Sequence, residues 1–311
     1  MAKILITGAA GFIGFNLIDQ LRHDHELLLI DALADDQHAA KYRSTFIDLP
    51  IHKLDLAIDE IELASIPDIV IHLAAETGIG PSETNPSKYV RNNILATSNL
   101  LEYCKNKGIK NFLYASSSSV YAPHEGKMSE DSAALQPKSF YGFTKLQMEQ
   151  LVDEFSSRFQ MNAIGLRFFT VYGPWTRPDM AAYKFMNAIY ERKPITLYTT
   201  ENGVVRDFTY VADICRAIAL LLPEFNKSSP SHEIFNIGSS SPIAIETFYQ
   251  TISSCMNAQT TILNAELPTN EAKQTYSDPS KLVKAINYYA NTPIEEGIAK
   301  MVDWFKNFKY A

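Results

Sequence analysis

The chain is poor in cysteine, carries no basic block and has no long apolar run, and each shortage closes off a class of protein. Its three cysteines, Cys104, Cys215 and Cys255, stand far apart in 311 residues and lack metal-ligand spacing. An odd, sparse set suits a reducing compartment rather than a disulfide framework. The seven histidines form no ligand pattern either. With 28 Lys and Arg against 35 Asp and Glu, the net charge is −7, which argues against a non-specific binder of nucleic acid or anionic membrane. No stretch approaches the roughly 20 apolar residues of a membrane span. The N-terminal run "AKILITGAAGFIGF" is broken by glycines and has no signal-peptide core. No internal repeat or low-complexity segment is present. Hydrophobic residues make up 46% and charged residues 20%, so a packed core is expected in a soluble, cytoplasmic protein.

What is present is a regular alternation. Short apolar runs at 3–7, 26–30, 68–72, 111–116 and 162–167, with a weaker one at 51–55, read as buried strands. Helical patterns lie between them at 12–22, 57–65, 86–107 and 139–159. Near-continuous apolar strands separated by helices imply a parallel sheet covered on both faces. The predicted fold is therefore α/β, a Rossmann-type doubly wound sheet with ligands at the C-terminal strand ends. After residue 170 the regularity fails, and proline, glycine and aromatic residues become frequent. The expected organisation is a dinucleotide-binding domain over 1–170 and a smaller, mostly helical substrate lobe over 171–311. A strand–helix return to the first unit is expected around 204–238.

"TGAAGFIG" (7–14) follows the first strand and opens the first helix, the context in which a glycine pattern implies a dinucleotide. Gly8 would permit the tight turn, Gly11 the approach of a pyrophosphate, and Gly14 close packing of helix on strand. The helix N-terminus then offers unpaired N–H groups and partial positive charge to the phosphates. Asp31 ends the second run, where an acid accepts hydrogen bonds from the ribose and repels a 2′-phosphate, favouring NAD. Asp55, after the third strand, either caps the adenine edge or N-caps a helix over 57–65.

Tyr141 and Lys145 share a helical face at i, i+4. A tyrosine titrates near 10, and a neighbouring ammonium favours its phenolate; bringing it to about 7 requires about 4 kcal/mol. "ASSSSVY" (115–121) follows the fifth strand. Serine, tyrosine and lysine on a dinucleotide sheet form a hydride-transfer site: the serine bonds the reacting hydroxyl and the tyrosine removes its proton.

These segments, with "HLAA" (72–75), "NNI" (92–94), "YGFTK" (141–145) and "VRDFTYVAD" (205–213), closely resemble the extended short-chain dehydrogenase/reductase superfamily over nearly the whole chain. They are most similar to its nucleotide-sugar epimerases, dehydratases and decarboxylases. The resemblance implies Tyr141, Lys145 and Ser117 as catalytic residues. It implies a cofactor site of Gly8, Gly11, Phe12, Ile13, Gly14, Asp31, Asp55, Leu56, Ala74 and Asn93 together with Tyr141 and Lys145. Arg206 is expected at the nucleotide diphosphate, the alternative being a surface ion pair with Asp207. No metal is expected. Superfamily likeness also suggests a homodimer through the helices at 86–107 and 139–159.

Dehydratases carry Asp-Glu after the sugar-bonding serine or threonine, and UDP-glucuronate decarboxylases a glutamate directly before "VY". Here those places hold Ser118 and Ser119, which leaves simple epimerisation. The segment 166–185 resembles UDP-glucuronate 4-epimerases, in which the residues matching Thr170 and Arg177 meet the C6 carboxylate, with Ser117, Ser118 and Arg206 also at the substrate. An arginine fork suits a carboxylate; the alternative is an Arg177 stacked on Trp175 or paired with Asp179. Thr176 stands where that family has glycine, so a Cβ there alters the loop or a special φ is lost. The expected activity is NAD-dependent C4 epimerisation of UDP-glucuronate to UDP-galacturonate. A UDP-glucose or UDP-N-acetylhexosamine 4-epimerase is the nearest alternative, and a non-catalytic NAD(H)-sensing protein a distant one.

Overall fold

The structure, a computed structural model, describes residues 1–33, 39–123, 126–131, 134–201, 203–226 and 230–308. The apolar runs form β1 (Lys3–Thr7), β2 (Glu26–Asp31), β3 (Ile51–Lys53), β4 (Ile69–His72), β5 (Asn111–Ser117) and β6 (Asn162–Phe168). The chain continues through β7 (Thr170–Tyr172), β8 (Ile195–Thr199), β9 (Val205–Arg206), β10 (Phe208–Tyr210), β11 (His232–Ile237), β12 (Ile243–Ala244) and β13 (Ile262–Glu266). Seven strands make one sheet in the order β11-β6-β5-β4-β1-β2-β3, and every pairing in it is parallel. The order reverses beside β1, and that switch point is where an open α/β sheet holds its ligand.

Successive side chains alternate between two cores, as a period of two demands. Ile4, Ile6, Ile71, Leu113 and Ile164 point to one face. Leu5, Val70, Phe112 and Ala163 point to the other. The first core also takes in residues of α1 (Phe12–Leu21), α7 (Ala181–Glu191), α8 (Val211–Leu221), α9 (Ile245–Met256) and α11 (Ile294–Phe308). The second takes in residues of α5 (Ala96–Lys107) and α6 (Phe140–Phe159). The shorter helices are α2 (Ala39–Ser44), α3 (Ile79–Thr84), α4 (Pro86–Tyr89) and α10 (Ser280–Ile286).

The helix expected over 57–65 does not form. Asp55 accepts from the Ala57 N–H at 3.0 Å, and its carbonyl accepts from Ile58 and Asp59, which closes one turn that is not continued. Its buried apolar residues are few, Ala57 and Ile61, and an isolated nine-residue helix is marginal in water. The 86–107 helix is present but holds a π-helical turn at Val90–Leu95, a feature frequent at functional sites. The chain from residue 170 on is less purely helical than expected: β8 pairs with β13, β9 with β12, and β7 with β10, in three two-stranded sheets. β13 is largely exposed and β7 and β12 have only three and two residues, so apolar periodicity does not reveal them. β11 lies beside β6 at the sheet edge, and α8 packs on α1, with the Cys215 thiol 4.0 Å from the Ile13 carbonyl. The last helix is α11. No helix of the described residues is long and apolar enough to cross a membrane.

A Cβ on Gly14 would lie 2.2 Å from the Gly8 carbonyl oxygen, whereas one on Gly80 would meet nothing within 4 Å. Urea unfolding should therefore show Gly14→Ala destabilised by about 1–3 kcal/mol. Gly80→Ala should be neutral, or stabilised by less than about 1 kcal/mol.

Candidate active site

The glycine loop has the shape of a phosphate cradle. Gly8 adopts φ +69°, and a Cβ there would lie 2.6 Å from the Ala74 nitrogen, so only glycine allows β1 and the segment after β4 to approach. Gly11 is the N-cap of α1 and supplies no side-chain cap, so the first N–H groups of this ten-residue helix are left for a ligand. Phe12 and Ile13 are its first two residues, Phe12 in the core and Ile13 against it. Asp31 ends β2, and its carboxylate accepts from the Ala10 N–H at 2.9 Å and the Leu33 N–H at 2.8 Å. The donor set, the glycine contacts and this acid fit a dinucleotide. Asp55 sits one strand further along and pairs with Arg91 at 2.7 Å; Leu56 beside it is buried.

Asn93 is fully buried in the π-helical turn. Its oxygen accepts from the Glu76 N–H at 2.7 Å, and its amide donates to the Glu76 carbonyl at 3.1 Å and to the Thr144 hydroxyl at 3.0 Å. All its bonds go to protein, so it braces the segment after Ala74 against α6 and frames the cleft from behind. His72 is a core residue, as its place at a strand end suggests. Thr7 and Thr97 hold its two ring nitrogens at 2.7 and 2.9 Å, and burial first, then the Lys145 charge, push its pKa down to about 3. Among the described residues no group of three His, Cys, Asp or Glu side chains could hold a metal ion.

The catalytic candidates meet where β5 ends and α6 begins. Ser117 is the last residue of β5, and its hydroxyl accepts from the Ser119 N–H at 3.1 Å. Ser118 opens a single 3₁₀ turn, Ser118–Val120. Ser139 N-caps α6 by accepting from the Gly142 N–H at 3.0 Å. A Cβ on Gly142 would lie 2.2 Å from the Ser119 carbonyl oxygen, so the glycine of "YGFTK" lets the helix seat directly on the serine turn. That seating places Tyr141 close enough to Ser117 for the serine hydroxyl to favour the phenolate.

The electrostatics depart from the expectation drawn from the i, i+4 spacing. Burial raises Tyr141 above its ordinary value, and the two effects that oppose it are the Ser117 hydroxyl and the charge of Arg177. The Lys145 ammonium instead donates to the Ala115 carbonyl at 2.9 Å. It is 2% exposed, and burial pushes its pKa down to about 7 against the pull of Glu149. The Arg177 charge favours the Tyr141 phenolate.

Arg177 pairs with Asp179: its Nε donates at 2.9 Å and its Nη2 donates to the other carboxylate oxygen. Burial works against its charge and this pair outweighs it. The expected Asp179 pair is thus present together with proximity to Tyr141. Two of the five guanidinium N–H groups face Asp179, which leaves three for a ligand. Thr170, on β7, donates its N–H to the Asp207 carbonyl at 3.0 Å. Thr176 needs no glycine geometry, because the positive φ values of this loop fall on Gly173 and on Trp175, at +67°. Its side chain is fully buried, and its hydroxyl has no partner among the described residues.

Arg206 does not pair with Asp207. It faces Glu271 at 3.5 Å and bonds the Val205 and Lys273 carbonyls, and burial lowers its pKa. Asp207 is fully buried and takes hydrogen bonds from Ser239, Ser240 and Ser277. Sequence reasoning did not reach several supports. Tyr89 stands edge-on to Tyr141 at 6.3 Å and bonds the Thr77 and Gly78 carbonyls. Ser82 accepts the Tyr141 N–H at 3.0 Å. Glu149, one turn beyond Lys145, forms a bidentate pair with Arg167 at 2.7 and 2.9 Å and accepts from Ser116 at 2.5 Å. A glutamate on the buried face of a predicted helix was the one available signal.

The family model described as NAD dependent epimerase/dehydratase matches residues 4–238. The chain belongs to that family. It is 34% identical to the UDP-glucuronate 4-epimerase of Thermodesulfobacterium geofontis, over 98% of this chain and 97% of that protein. Its fold is similar to that of a UDP-glucuronic acid 4-epimerase from Bacillus cereus in complex with UDP-glucuronic acid and NAD. That match has TM-score 0.89 and 32% identity and covers 98% and 99% of the two chains. A UDP-N-acetylglucosamine 4-epimerase from Methanobrevibacter ruminantium, in complex with UDP-N-acetylmuramic acid, matches at TM-score 0.87 and 26% identity over 98% of each chain.

A lysine whose folded pKa lies below its unfolded value near 10.4 costs stability in full below about 7, and the cost fades as pH rises toward 10. Lys145→Met should therefore unfold at higher urea than the parent at pH 6, with the difference narrowing by pH 9. Glu149→Ala leaves the Arg167 guanidinium buried without its carboxylate, and urea unfolding should show a loss of about 3–5 kcal/mol.

Proposed function

We propose that this protein is an NAD-dependent UDP-sugar 4-epimerase that interconverts UDP-glucuronate and UDP-galacturonate through a 4-keto sugar. The observation that carries this reading is the convergence of Ser117, Tyr141 and Arg177 at the C-terminal edge of the sheet, in a chain whose relatives include UDP-glucuronate 4-epimerases. Gly8, Gly11, Gly14 and Asp31 would hold the cofactor, with Ala74 and Asn93 shaping the wall opposite. Bound NAD supplies a reversible acceptor for the C4 hydrogen, and a positive charge.

The residues of this chain handle the proton and the carboxylate. Ser117 orients the C4 hydroxyl and Tyr141, as phenolate, takes its proton. Burial raises the energy of that phenolate, so the Arg177 charge and the charges gathered on binding decide its population. The sugar presents its other face, the hydrogen returns, and Tyr141 gives the proton back to the C4 oxygen. A C5 carboxylate beside a C4 ketone is a β-keto acid, prone to lose CO₂. Arg177, with Thr170, holds the carboxylate so that the breaking bond lies near the carbonyl plane. The absence of a carboxyl side chain at Ser118 and Ser119 removes the usual agent of elimination. Arg206 takes the diphosphate, which requires it to leave Glu271.

The same reading places the protein in the cytoplasm as a homodimer. Its free cysteines support the first. Exposed Val90, Leu95 and Phe143 on the helices at 86–107 and 139–159 support the second.

NMR of products formed from several UDP-sugars tests the assignment. Tyr141→Phe should lower kcat at least about 10³-fold while NAD affinity stays within two-fold. Arg177→Ala should weaken UDP-glucuronate binding about 10- to 100-fold and UDP-glucose less than three-fold; equal losses would remove the carboxylate role.

A further inference from the structure

The glycine loop and the loop that carries Arg177 are joined by side chains that no step of the reaction uses. Arg43, on α2, is 2% exposed. Its Nε donates to the Ala10 carbonyl at 2.6 Å, and its Nη1 donates to the Trp175 carbonyl at 3.4 Å. Ala10 also donates its N–H to Asp31 at 2.9 Å, so residue 10 is held at both its N–H and its C=O. Asn16 makes a second link, donating to the Phe12 carbonyl at 2.9 Å and the Pro174 carbonyl at 3.3 Å. The Trp175 ring lies between Phe15 of α1, at 4.7 Å, and Phe46, just after α2, at 4.9 Å. Trp175 keeps φ at +67°, a conformation that a bulky residue holds only where its surroundings over-determine it. A chain of hydrogen bonds thus runs from the acid at the ribose end of the cleft, through Ala10 and Arg43, to a backbone carbonyl two residues before Arg177.

We propose that Arg43 is a positioning residue that couples occupation of the dinucleotide cleft to the set of the 173–177 loop, so that dinucleotide and UDP-sugar bind cooperatively. The proposal rests on the reading of the cleft and of Arg177 given above. A ligand that fixes the glycine loop fixes the Ala10 carbonyl, and with it the guanidinium that grips Trp175. Linkage makes the effect reciprocal: the UDP-sugar tightens the dinucleotide by the same factor.

The test is made in a Tyr141→Phe background, which binds without turnover. UDP-glucuronate affinity is measured by calorimetry with and without NAD. NAD should tighten the sugar at least five-fold in this parent, less than two-fold in Arg43→Met, and by an intermediate factor in Arg43→Lys. The same coupling in Arg43→Met as in the parent, or none in the parent, overturns the proposal. A second arm does not depend on the sugar. The chain has two tryptophans, so Trp304→Phe leaves Trp175 as the sole emitter. NAD should shift its emission in the parent and not in Arg43→Met; an unchanged shift overturns the proposal. If this arm succeeds while UDP-glucuronate fails to bind with or without NAD, the substrate reading falls and the coupling stands. If UDP-glucuronate binds and both arms ignore Arg43→Met, the coupling falls and the substrate reading stands. Should Arg43→Met fail to fold, Asn16→Ala is carried through both arms, with a reduction of the parent effect expected and no reduction counting against the proposal.

Discussion

The direct seating of α6 on the serine turn is the contact from which the rest of the site follows. With no side chain at Gly142, the helix start comes against the Ser119 carbonyl, and one rigid junction then sets three groups. Ser117 arrives from the strand, Tyr141 from the first turn of the helix and Lys145 from the second. Ser139, Ser82 and Glu83 occupy the N–H groups of Gly142, Tyr141 and Phe140, so the helix start is fixed by hydrogen bonds as well as by shape. A site built at the meeting of a strand end and a capped helix keeps its geometry because neither element can move without unpacking a core.

Charge is distributed around that junction differently from what the spacing of Tyr141 and Lys145 suggests. An i, i+4 pair shares a face, but both side chains enter a layer where burial dominates. It raises the tyrosine and lowers the lysine, and the lysine turns to a strand carbonyl. The Arg177 charge that favours the phenolate comes from a distant loop, where Asp179 holds it. A guanidinium stays charged in such surroundings far more firmly than an ammonium does, which suits it to a place where the amine is close to losing its proton. Behind Lys145, the buried Glu149 carboxylate works against that loss.

The sheet and the glycine loop were legible because parallel strands buried on both faces are continuous apolar runs, and because glycines at close backbone approaches leave a fixed spacing. Asp31, Ser117 and Tyr141 were legible for the same reason: each ends or begins an element that the pattern places. Asp55 was half legible, since its position at the third strand was plain but the helix it was expected to cap is a single turn. Arg43 and the partners of Asp207 were not legible, whereas the Arg177–Asp179 pair, two residues apart, was among the expected alternatives. Arg43 and Asp207 work through partners far away in sequence, Arg43 on Ala10 and Trp175 and Asp207 on residues 239–277, and no local periodicity records such a pairing. The expected conflict at Thr176 dissolved because the left-handed residue is its neighbour Trp175.

The last strand of the large sheet has a consequence for how the molecule is made. A ribosome that has released residues 1–170 has produced six of the seven strands, yet the Ala163–Phe168 edge stays bare until residues 232–237 emerge to pair with it. During that interval the nascent chain displays an unpaired apolar edge of the kind that recruits other chains. Residues from the far end of the chain are therefore needed to complete the sheet, and a cut after residue 170 would leave that edge open.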